Sequence, residues 1–116
     1  MGCIYRIVCW VTGRSYVGQT VYSHPFVRFG EHQRSAKNGE PGVLYDDLRM
    51  YSIHEFECIC LCVCSNEALN ALECYYAEQY DAYNVNECGK APVRKEVSDE
   101  QRMWMRKRAI LRQRKN

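Results

Sequence analysis

The alternation of apolar and polar positions divides the chain into a short run of elements. CIYRIVCWV, rich in β-branched and aromatic residues, stops at TGRS and is followed by SYVGQT, so the first twenty residues predict a β-hairpin turned at Gly13. From His24 the period changes. Pro25 suits a first helical turn, and PFVRFGEHQRSAKNG predicts a helix that stops at Asn38-Gly39. Beyond the GEPG loop, GVLYDDLRMYS predicts a short helix with Leu44, Leu48 and Tyr51 along one side. FECICLCVC predicts a third strand, in which Cys58, Cys60, Cys62 and Cys64 alternate with Ile59, Leu61 and Val63, the pattern of a strand buried on both faces. Ser65-Asn66 then offers an N-cap for the helix EALNALECYYAEQYDAY. After the loop NVNECGKAPV, Ser98 and Gln101 in SDEQ make a capping box ahead of RMWMRKRAILRQRKN, predicting a final basic helix.

A chain of 116 residues has room for one core and a short appendage, here residues 1–89 and a tail of 90–116. No window has the apolar run of a membrane span, and the N-terminus lacks the basic-then-apolar order of a secretory signal, so a soluble, intracellular protein without a membrane partner is expected. For the eight cysteines this favours reduced thiols over bridges. CxCxCxC also lacks the CxxC turn that wraps tetrahedral zinc. The net charge of +2 hides an asymmetry, since residues 90–116 carry ten Lys/Arg against three acids. The body is therefore −5 and the tail +7, which suggests a polyanion bound through the tail, with a solvated terminus as the alternative.

One residue is out of place on the helix after the cysteine strand. Leu69, Leu72, Tyr76 and Tyr80 form a stripe at helical spacing, and Glu73 falls on it. Burying a carboxylate unpaired is costly, so Glu73 asks for a metal, an arginine, or water at a site mouth; a structural ion pair or exposure at the stripe's edge serves equally well. Arg28 and His32 stand four apart on the first helix and share a face. Arginine suits an oxyanion and histidine suits proton movement near neutral pH, although a surface helix also offers such pairs by chance. Gly18, inside a strand beside Tyr16 and Val17, marks a close approach of another group.

Taken in order, CIY at 3–5, YVG at 16–18, Arg28 with His32, Glu73, and Asn84 in YNVNECG resemble the GIY-YIG nuclease family over residues 3 to about 89. The resemblance implies a small α/β (α+β) fold, a three-stranded, mostly antiparallel sheet flanked by helices, and metal-dependent hydrolysis of DNA phosphodiesters. It implies that Glu73 binds one divalent ion, magnesium or in its place manganese, and that Arg28 stabilises charge on the scissile phosphate. Tyr5 or Tyr16 would activate water, with Tyr5 favoured, His32 would relay the proton, and Asn84 would support the geometry.

The chain departs from the family at Cys3, which replaces the first glycine of the name motif, at Cys88, where many relatives carry a glycine, and at Gln19, where some carry a lysine. The tail is loosely similar to the short helical DNA-binding elements that follow the nuclease domain in homing endonucleases. Arg102, Arg106, Lys107, Arg108, Arg112 and Arg114 are the expected contacts to double-stranded DNA, each phosphate contact releasing counterions. Two other readings remain: a DNA-binding module that kept the fold without efficient catalysis, and a cysteine-rich zinc protein.

Overall fold

In the computed structural model, which describes residues 1–90, the first twenty residues form the expected hairpin. Strands β1 (Gly2–Cys9) and β2 (Ser15–Thr20) pair antiparallel, with Tyr5 opposite Gly18 and Ile7 opposite Tyr16. Gly13 turns the chain at a φ of 75°, a left-handed backbone that carries no Cβ penalty in glycine, and its N–H donates to the Cys9 carbonyl at 2.8 Å. Strand β3 (Phe56–Cys64) pairs antiparallel with the other side of β1, giving the order β2-β1-β3 in a small α+β domain.

Three helices cover this sheet. Helix α1 (Phe26–Lys37) starts after Pro25, which occupies the cap position, and ends at Asn38 and Gly39, the latter at φ 83°. Helix α2 (Val43–Met50) stops one residue short of Tyr51, which is extended. Helix α3 (Leu69–Gln79) is shorter than its apolar pattern, because Asn66–Ala68 form a 3-10 turn before it and the chain leaves the helix after Tyr80. Ser65, at the cap position of that turn, makes no side-chain capping bond. At the other end Asp81 takes φ 49°, its N–H donates to the Glu78 carbonyl, and the Ala82 N–H donates to the Ala77 carbonyl at 2.9 Å. This paired closure is a Schellman stop, and Ala77 and Ala82 provide its apolar contact inside the core.

The core has two halves. Ile4 and Val17 pack with Leu69, Ala77 and Ala82 on the α3 side, while Tyr5 and Ile7 pack with Leu44, Phe29 and Leu48 on the α1–α2 side. The strand buried on both faces is therefore β1, not β3 as the cysteine alternation predicts. As an edge strand, β3 leaves Glu57, Cys60 and Val63 exposed. A bulge also interrupts its alternation: Ile4 lies opposite Cys62 but Tyr5 lies opposite Cys60, leaving Leu61 as the extra residue. Cys58 accordingly packs with the Tyr5 half, and Cys62 and Cys64 with the Ile4 half.

The expectation of reduced thiols fails at one pair. Cys74 on α3 and Cys88 in the following loop are joined in a disulfide, with Cα atoms 5.2 Å apart, while Cys3, Cys9, Cys58, Cys60, Cys62 and Cys64 remain thiols. The fold brings together two residues 14 apart that spacing alone does not pair. The capping box at Ser98 and Gln101 and the basic residues from Arg102 to Arg114 lie outside the described residues. Among the described residues no helix is long and apolar enough to cross a membrane.

Candidate functional site

Hairpin pairing sets the two tyrosines on one face of the sheet, because Tyr5 lies opposite Gly18 and Ile7 lies opposite Tyr16. Their ring centroids are 6.3 Å apart. The reason for Gly18 is then visible: a Cβ there would stand 2.5 Å from Tyr5 Oη and 2.8 Å from Tyr16 Cε1, so the Tyr5 phenol crosses a surface that only glycine leaves open. Cys3, standing for the motif's first glycine, is fully buried in β1 opposite Val63 without disturbing this arrangement.

Helix α1 lies over that face. Its His32 is 1% exposed, and the imidazole bridges two phenols, with Nε2 2.8 Å from Tyr5 Oη and Nδ1 3.2 Å from Tyr45 Oη. Burial, reinforced by the charge of Arg28, pulls its pKa from the usual 6.5 to about 3, so the ring is neutral near pH 7. A neutral imidazole has one N–H, so it donates to one phenol and accepts from the other.

Arg28, one turn before His32, is half-buried and pairs with Glu31 at 3.8 Å. Burial works against its charge, but Tyr5, Glu31 and Tyr16 outweigh it, so the guanidinium is held more firmly protonated than usual. Burial pushes the Tyr5 phenol well above its ordinary value; Tyr16 adds to the shift, and Arg28, within hydrogen-bonding reach, opposes it. Tyr16 is raised as well, by burial first and also by Glu73, against the opposing charge of Arg28. The two differ in access. Tyr5 is 1% exposed, whereas Tyr16 is half-buried and borders a cavity of about 330 Å³ also lined by Tyr45, Tyr83 and Asn84.

Glu73 lies on the buried side of α3 with Leu69 and Ala77, 8% exposed. Its Oε1 accepts from the Gly89 N–H at 3.1 Å, and no basic side chain among the described residues pairs with it. Among the described residues no group of three or more His, Cys, Asp or Glu could hold a metal ion, so a tetrahedral zinc site has no donor set here. A single hard carboxylate oriented by an amide fits magnesium, which keeps several waters and takes one or two protein carboxylates beside a substrate phosphate. Asn84 grips the outer edge of β2: its Oδ1 accepts from the Val17 N–H at 3.2 Å and its Nδ2 donates to the Val17 carbonyl at 2.7 Å.

Of the residues marked from the sequence, Tyr5, Tyr16, Arg28 and His32 thus cluster under α1 and Asn84 holds β2 beside Tyr16, while Glu73 lies on α3 against the Ile4 half of the core and reaches Tyr16 through its charge. Sequence reasoning misses Tyr45, the second partner of His32, since a tyrosine on an amphipathic helix reads as packing. It also misses Gly89 and the bridge beside it, for which a glycine after a cysteine in a loop is the only signal. Comparison of the chain with family models, with curated proteins and with solved structures finds no match.

Proposed function

We propose that this protein is a magnesium-dependent DNA endonuclease of the GIY-YIG kind, with manganese able to replace magnesium, that hydrolyses phosphodiester bonds. One observation carries the reading. Residues marked from the sequence alone bring the Arg28 cation and the Tyr5 and Tyr16 phenols together around His32, with Asn84 on the adjoining backbone and the Glu73 carboxylate near enough for its charge to raise Tyr16.

Each group has a role that its surroundings support. Glu73 would hold the divalent ion, which supplies Lewis-acid charge to the phosphate being attacked. Arg28, always charged and partly open to solvent, stabilises the negative charge that builds on the scissile phosphate; removing one such donor costs on the order of a hundredfold to a thousandfold in rate. Tyr16 is the phenol that water can reach, and we assign it the proton-accepting position in preference to the buried Tyr5. With both phenols pushed up, neither stores a charge at neutral pH, and the proton is passed along. Tyr5 links the Tyr16 oxygen to His32, and the second ring nitrogen of His32 continues the path to Tyr45, which opens on the cavity. Asn84 fixes the backbone next to Tyr16 and does no chemistry. The tail supplies sequence-independent affinity for duplex DNA through its lysines and arginines.

The test is nicking of supercoiled plasmid with magnesium, with EDTA, and with Glu73→Ala or Arg28→Ala. Magnesium-dependent nicking that both substitutions lower by about a hundredfold or more is expected. Absence of nicking by the wild type over a range of salt would end the endonuclease reading, and retained salt-sensitive DNA binding would then identify a binding module of the same fold.

A further inference from the structure

The candidate metal ligand sits beside the protein's disulfide, and the two are joined through one residue. Cys74 follows Glu73 on α3, and Cys88 precedes Gly89 in the loop. Gly89 sits at φ 71° directly against the bridge: a Cβ there would stand 2.7 Å from Cys74 Sγ and 3.2 Å from the Asn70 carbonyl oxygen. In that position its N–H meets Glu73 Oε1 at 3.1 Å. The rest of the loop is held at its other end, where Asn84 and the Tyr83 N–H bond to β2. Between that anchorage and Gly89 the bridge is the covalent tie that brings the loop back onto α3.

We infer that the Cys74–Cys88 disulfide is a positioning device for Glu73: it presents the Gly89 amide to Oε1, fixes the carboxylate for a divalent cation, and releases it when reduced. The inference rests on the reading of Glu73 as the metal ligand and adds its regulation. An amide donating to one carboxylate oxygen orients the group and leaves the other oxygen free, and hydrogen-bond partners of this kind behind a metal ligand typically contribute about 10–100-fold to metal affinity. The reductant is a small dithiol. One of its thiolates attacks a bridge sulfur, its second thiol displaces the mixed disulfide, and the reagent leaves as a cyclic disulfide; two electrons and two protons pass to Cys74 and Cys88.

The experiment uses the full chain in three forms: bridged, reduced with a dithiol, and bridged with Glu73→Ala, the bridge being verified by thiol counting. The Gly89 amide exchange rate is read by NMR, and the affinity for Mn²⁺ is read from the paramagnetic resonance signal of the free ion. Reduction is expected to speed Gly89 exchange and weaken Mn²⁺ binding by about tenfold each. Glu73→Ala is expected to speed the same exchange with the bridge intact, a readout that stands even where reduction loosens the whole fold. Unchanged Gly89 exchange in Glu73→Ala, or equal Mn²⁺ affinity in the bridged and reduced forms, overturns the inference. Bridged protein that shows both contrasts and nicks no DNA supports the positioning role while removing the endonuclease reading.

Discussion

Gly18→Ala should disturb the site far more than one added methyl suggests. The new Cβ would stand 2.5 Å from Tyr5 Oη, 2.6 Å from Tyr5 Cζ and 2.8 Å from Tyr16 Cε1. Carbon atoms in contact prefer roughly 3.5–4.0 Å, so both rings must retreat by about 1 Å. Tyr5 has nowhere to go, being 1% exposed with its hydroxyl held 2.8 Å from His32. Overpacking of this kind costs about 1–3 kcal/mol, and a broken phenol–imidazole bond about 1 kcal/mol more. Replacing glycine restricts the unfolded chain and returns only about 0.4–1 kcal/mol, so the clash wins by about 1–3 kcal/mol. Urea unfolding followed by tyrosine and tryptophan fluorescence should therefore show a midpoint lowered by about 1 M, given a slope of about 1–3 kcal/mol per molar. Nicking should fall on the order of a hundredfold, since an ångström of misplacement reaches both phenols. A variant with an unchanged or higher midpoint and wild-type nicking would refute the claim that Tyr5 lies across Gly18.

Two further expectations concern His32 and Asn84. Because folding lowers the His32 pKa from 6.5 to about 3, the unfolded chain holds a proton in that window that the folded chain lacks. The contribution of neutral His32 is complete above pH 6.5 and is lost as the pH falls towards 3, removing about 2–3 kcal/mol between pH 6.5 and 4.5. NMR titration of the His32 ring should accordingly give no transition near pH 6, and a midpoint there would contradict the burial argument. Asn84→Ala, which removes both bonds to Val17, should cost about 1–3 kcal/mol and speed exchange of the Val17 amide; unaltered exchange would mean that the amide grip is not what holds β2.

Much of the fold is legible because its signals are local. The hairpin follows from β-branched segments around Gly13, α1 from its stop at Asn38-Gly39, and the oddity of Glu73 from its stripe. The misreadings arise where tertiary context decides. An apolar run such as FECICLCVC suits a doubly buried strand, but which strand occupies the centre depends on pairing, and the centre went to β1. The bulge at Leu61 breaks the alternation in a register that is defined only by pairing with β1. The Cys74–Cys88 bridge and the His32–Tyr45 contact join residues that only the folded chain brings together. For the candidate site, residue types and order singled out the tyrosines, Arg28 and His32 that the fold brings together, whereas the difference in solvent access between Tyr5 and Tyr16 required the packed helices.

The two margins of the sheet are not alike. On β2 the Asn84 carboxamide satisfies the Val17 N–H and C=O much as a peptide group of a neighbouring strand would, so that margin is closed by a single side chain. On β3 the outer margin has no partner strand among the described residues, and Val63 and the thiol of Cys60 are exposed along it, with Glu57 as its charged residue. Self-association in concentrated solution should therefore run strand-to-strand through β3 and be made permanent by intermolecular oxidation at Cys60, while the β2 margin stays clear. Storage under a mild reductant would suppress that oxidation, but it would also open the bridge beside Gly89 and Glu73, so protection of the β3 margin and integrity of the loop after α3 pull the choice of buffer in opposite directions.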